Sequence, residues 1–223
     1  MVNRPDENGD GYVALRVHAL VYELFACNIR EHSSAVSVDA FLAAAFTPAA
    51  SALRAQFGVS LELCVVGPEY VRRVVEHPVV AEGTADEMRE RYEEADDTQR
   101  VLMAMVLYER QLDRDERPHL LFACEGVPIA EDIDLMATNG NGYEFVQVQA
   151  ASCVGHYGFV RASPLRVLSH SIQQGLAELL GAAGVHAPVR AGGGDHYSGE
   201  VLWTDEHYRL ISQKLRSLGL TRP

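Results

Sequence analysis

Two Asn-Gly steps in succession, Asn139-Gly140-Asn141-Gly142, sit between two alternating apolar runs and constrain this chain more than any other stretch. Asn and Gly both tolerate positive φ, which a tight turn between antiparallel strands demands. Residues 131–137 and 143–150 are therefore expected to pair as antiparallel strands. Period 2 puts Ile133 and Leu135 on one face of the first strand and Val146 and Val148 on one face of the second, so these four form the buried face. The other face carries Asp132 and Asp134, opposed by Gln147 and Gln149.

The run from Asp134 to Gln149, DLMATNGNGYEFVQVQ, resembles the core hairpin of the PD-(D/E)XK nuclease superfamily. That family places a metal-binding Asp near the end of one strand, then a turn, then Glu-x-Lys on the next strand. Asp134 keeps the Asp, while Gln147 stands at the Glu position and Gln149 at the Lys position. The resemblance spans residues 119–185 and implies the order strand, strand, helix, the helix running from Ser163 to Ala183. It implies Asp134, Gln147 and Gln149 as the catalytic positions, with Asp132 and Asp134 as metal ligands and Mg²⁺ as the metal. In such enzymes the carboxylates hold Mg²⁺, which activates water and stabilises charge on the phosphate, and the Lys positions or deprotonates that water. Gln offers a carbonyl oxygen but no charge. The implied function is a catalytically degenerate nuclease-like module that binds a protein or small-molecule partner. The alternative is an active Mg²⁺-dependent nuclease using Asp134 with Asp132 or Glu125, and only there is nucleic acid a partner. By the same analogy Glu23 or Glu31 would add a helical acid. Whether the protein is an enzyme stays open.

Charge bears on that choice. The net charge is −12, with −9 on residues 1–118 and −3 on residues 119–223, and Lys214 is the one lysine in the chain. Proteins that bind nucleic acid neutralise phosphates with Lys and Arg, so this balance counts against nucleic acid as the main partner; Arg161, Arg166 and Arg190 could still form a local patch. No run of about 18 apolar residues occurs, and MVNRPDENGD is polar and acidic where a secretory signal is basic then apolar. A cytoplasmic protein is expected. Cys27, Cys64, Cys124 and Cys153 are scattered, without C-x-x-C spacing, as suits buried free thiols in a reducing compartment.

Along the chain, Val13, Val17, Leu20, Leu24 and Cys27 fall at helical spacing, so residues 12–30 are expected to form an amphipathic helix. Ser37 is an N-cap for a helical stretch that Pro48 kinks or breaks and Gly58 stops. Residues 60–66, SLELCVV, alternate as a strand, and a short helix follows Pro68. Thr84 with Glu87 makes a capping box before one long helix or two abutting ones. The acidic EMRERYEEADD within it reads as a solvated helix face or as a docking surface for a basic partner. Pro118 closes this region and a strand begins at residue 119. Residues 153–162 offer a third short strand, Ser163-Pro164 a helix start, residues 186–191 and 200–203 further strands, and Thr204 the cap of a final helix ending near Gly219.

Three other constellations carry chemistry. Asp132-Ile-Asp134-Leu also fits the paired acids of nucleotidyltransferases, but the Gly-Ser helix start which that family needs upstream is replaced by Ala123-Cys-Glu-Gly126. The bland alternative is two strand acids hydrogen-bonded to the facing glutamines. The loop Gly192-Gly-Gly-Asp-His-Tyr-Ser-Gly199 matches no phosphate-loop spacing and is expected to be a mobile surface loop; as the lid of a ligand pocket it would make Asp195 and His196 ligand-binding candidates. Cys153 and His156 could pair thiol with imidazole, but nothing supplies the third group, and a structural role is expected.

The expected architecture is α+β: a mainly helical region, 1–118, packed on a mixed β-sheet with a central β-hairpin and a restriction-endonuclease-like core in 119–223. Without a clear linker, the two are expected to form one compact unit.

Overall fold

The computed structural model describes residues 12–32, 37–80, 83–125, 135–140, 143–149, 164–182, 185 and 203–221. The architecture is α+β, with helices on both faces of one mixed sheet. Its strands are β1 (Val13–Val21), β2 (Val59–Val66), β3 (Leu120–Glu125), β4 (Leu135–Gly140) and β5 (Tyr143–Gln149), in the spatial order β2-β1-β3-β5-β4. β2, β1, β3 and β5 run parallel, and β4 pairs antiparallel with β5 along one edge. This sheet draws strands from both sides of residue 118.

Residues 12–30 do not form the expected single helix. They form β1, then α1 (Glu23–His32). Leu15, Val17, Ala19 and Val21 face one core while Leu20, on the face that also carries Arg16 and His18, packs into the other, so β1 is covered by helices on both sides. A two-sided strand also satisfies helical spacing, and sheet pairing on both flanks decides the outcome.

The antiparallel pair is not central either. β3 is the middle strand, with β1 on one side and β5 on the other, and β4 is an edge. The strand expected from residue 131 enters the description only at Leu135, and the segments 153–162, 186–191 and 200–202 lie outside the described residues. Trp203 is outside any strand.

On one face lie α1, α2 (Val38–Phe57) and α6 (Pro164–Ala177). Phe46 meets Phe122 edge-on at 5.2 Å between ring centres, and both are buried. Each such ring is worth roughly 1.5–3 kcal/mol of burial. Ser37 caps α2, accepting from the Ala40 N–H at 3.1 Å. Pro48 lies inside this helix and does not break it. Ala45, Phe46 and Ala49 pack into the core on either side, and the Thr47 hydroxyl donates to the Ala43 carbonyl at 2.8 Å. Gly58 ends the helix with φ 65°, a left-handed cap whose N–H donates to Arg54 O.

The opposite face is covered by α3 (Pro68–Glu76) and α5 (Asp97–Gln111), whose Val71, Val74, Val101, Met105 and Tyr108 pack on Leu20, Leu121 and Ala123. The acidic stretch splits into two helices, α4 (Ala85–Glu94) and α5, because Asp96 starts a second capping box directly after the first helix ends. α6 continues into a wider turn at Glu178–Ala182, bent at Gly181 with φ 94°. α7 (Asp205–Ser217) packs against that turn. At its start the Thr204 N–H donates to His207 Nδ1, and the other ring nitrogen donates to the Val185 carbonyl. No described helix is long and apolar enough to cross a membrane.

Candidate functional site

From β1 the chain crosses to β2 on one side, whereas from β3 it continues to β4 and β5 on the other. The carboxyl ends of β1 and β3 therefore form the point where connections diverge, and open sheets of this kind bind ligands in the crevice there. β1 runs into α1 without a loop: the Tyr22 N–H donates to Cys124 O at 3.1 Å, and Tyr22 O accepts from the Ala26 N–H at 3.0 Å.

Beside this point stands the end of β5. Register pairs Ala123 with Gln147, Cys124 with Val148 and Glu125 with Gln149. Partners in a parallel ladder share a face, so positions 123, 125, 147 and 149 lie on one side of the sheet, in line with Leu20 and His18 of β1. On the far side of β5, Met136 pairs with Gln147 and Leu135 with Val148. The structure thus brings Gln147 and Gln149 together and adds Glu125 as a neighbour.

Asp132, Asp134, Asp195, His196, Cys153 and His156 lie outside the described residues. The two helical acids the analogy would choose between, Glu23 and Glu31, are both exposed, and Glu23 lies 3.7 Å from Arg30 and accepts from Cys27 Sγ at 3.6 Å. The described residues hold no group of three His, Cys, Asp or Glu suited to a metal ion. Two amides and one carboxylate residue supply less charge than the acid sets that hold Mg²⁺, so the described part of this edge does not by itself fit that ion.

The same face holds a polar cluster that helical spacing in residues 12–30 concealed. His18 Nδ1 lies 2.8 Å from the Tyr108 hydroxyl, and Tyr70 meets the Tyr108 ring edge-on at 5.9 Å. Burial, then the neighbouring Arg16, lowers the His18 pKa; burial, then Cys64, Tyr70 and Glu116, raises that of Tyr108. Cys64, register partner of His18, is exposed on edge strand β2, contrary to the expectation of a buried thiol. Burial and then Asp39 push its thiol up, the opposite of an activated nucleophile. An alternating reading of VALRVHALV would have put Arg16, His18 and Leu20 on one face.

At the other end of β1, the Arg16 N–H donates to His119 Nδ1 at 2.9 Å and the His119 N–H returns a bond to Arg16 O. Burial, then the Arg16 charge, pushes the His119 pKa down to about 4. This ring is a neutral acceptor that locks β1 to β3.

No family model matches the sequence, and no curated protein matches it.

Proposed function

We propose that this protein is a nuclease-like module that does not cleave nucleic acid and acts by binding a protein or small-molecule partner at the carboxyl edge of its sheet. The observation that carries the reading is the register that sets Gln147 and Gln149 beside Ala123 and Glu125 at the divergence point. Amides neither titrate nor neutralise a metal, but each offers both a donor and an acceptor, which suits recognition of a neutral polar group. The restriction-endonuclease-like core is part of this proposal. It is supported by the spacing from Asp134 to Gln149 and by the order β4, β5, α6. The acidic balance of the chain supports a partner other than nucleic acid.

One observation favours a second reading, an active Mg²⁺-dependent nuclease. Glu125 is the register partner of Gln149 and could supply, with Asp134 and Asp132, the acids that Gln147 does not.

Calorimetric titration of Mg²⁺ and Mn²⁺ into the wild-type protein and Asp134→Ala, with cleavage assays on DNA and RNA, separates the two. The binding reading expects neither metal affinity dependent on Asp134 nor cleavage. Cleavage that disappears in Asp134→Ala would overturn it.

A further inference from the structure

We propose that the corner between α4 and α5 is a binding site for a small molecule with an apolar chain and a carboxylate head. This inference concerns another part of the fold and stands independently of the sheet-edge reading.

The corner is built to hold one shape. Thr84 and Glu87 close a capping box at the start of α4, and Asp96 and Gln99 close another at the start of α5. Arg100, in the first turn of α5, donates to Tyr92 O at 3.1 Å and to Glu93 O at 2.7 Å, tying the two helices together at their junction. These bonds satisfy helix-end carbonyls and fix the angle at which α5 leaves α4.

Along that corner runs a solvent-open cavity of about 500 Å³, inside the range of small-molecule sites. Its apolar wall comes from Met88, Ala95, Met103 and Val106, and its charge from Arg91 and Arg110. Two methionines give an adaptable surface for a flexible chain. Neither guanidinium has a hydrogen-bond or ion-pair partner among the described residues.

In a chain of net charge −12, two cations without an ion-pair partner among the described residues on one apolar cavity are the complementary feature that selects the ligand. At 100° per residue, Asp86, Glu90 and Glu93 fall on the side of α4 away from Met88. The carboxylate of Glu87, one turn before Arg91, accepts from the Thr84 N–H at 2.8 Å. A carboxylate can take paired bonds from a guanidinium while its chain lies along the methionines.

Decanoate is the probe, titrated by calorimetry into the full chain, with decyltrimethylammonium as the same chain bearing the opposite charge. Saturable one-to-one binding of decanoate is expected, weakened at least ~10-fold in Arg91→Gln/Arg110→Gln, with no comparable binding of the cation. Both arginines lie at the surface of the cavity, and circular dichroism checks that the double variant keeps its helices. Met103→Trp, which fills the cavity and leaves both charges, is expected to abolish binding. Decanoate that fails to saturate, affinity unchanged in the double variant, or equal binding of the cation would overturn the proposal. So would binding of an acidic amphipathic peptide without decanoate binding, which would make the corner a protein-docking groove.

Discussion

His18 Nδ1 and the Tyr108 hydroxyl stand 2.8 Å apart, joining the strand β1 to the helix α5 through a polar contact beside the apolar cluster of Leu20, Val101 and Met105. Both rings are shifted toward their neutral forms, so the contact is a neutral hydrogen bond whose direction follows the imidazole tautomer. Tyr108→Phe leaves His18 without its partner and is expected to cost about 1–2 kcal/mol in urea unfolding. Adding His18→Leu should cost less than the sum of the two single changes, because an unpaired polar group no longer remains. Strict additivity would show that the contact contributes nothing.

His119 gives the stability a defined acid limb. Its folded pKa of about 4 lies below its ordinary 6.5, so the folded chain binds fewer protons than the unfolded chain between those values. Its contribution is complete above pH 6.5 and is lost as pH falls towards 4. After allowance for its partial exposure to solvent, the loss is on the order of 2 kcal/mol. His119→Asn, which keeps an acceptor but does not titrate, is expected to lose distinctly less stability between pH 7 and 5. Equal losses in both proteins would refute the assignment.

Phe122 tests the position of β3 as the middle strand. It is fully buried against Phe46, and Phe122→Ala should cost about 3–5 kcal/mol. Leu63→Ala, on the half-buried edge strand β2, should cost clearly less. Comparable losses at the two positions would contradict the observed strand order.

The fold was legible in the sequence wherever a local device carries the information. Ser37, Gly58, Pro68, Thr84 and Thr204 each mark a helix boundary through a cap, a left-handed residue or a fixed φ, and helices begin or end beside each. β1 was not legible, because Val13, Val17 and Leu20 fit a helical stripe as well as Leu15, Val17 and Ala19 fit a strand. Nor could spacing reveal that β4 lies at an edge with β5 between it and β3, since strand order is set by long-range pairing. The same holds for the site. Counting along the chain aligned Gln147 and Gln149, but their neighbours Ala123 and Glu125 come from the pairing of β3 with β5.

The most direct test of the central reading is to reinstate the missing chemistry. Gln147→Glu/Gln149→Lys returns the carboxylate and the cation to the positions that the spacing assigns them. The account expects this variant to gain Mg²⁺ binding in calorimetric titration where the wild type shows none, and to lose it again on Asp134→Ala. Metal affinity no greater than that of the wild-type protein would contradict the nuclease-like reading.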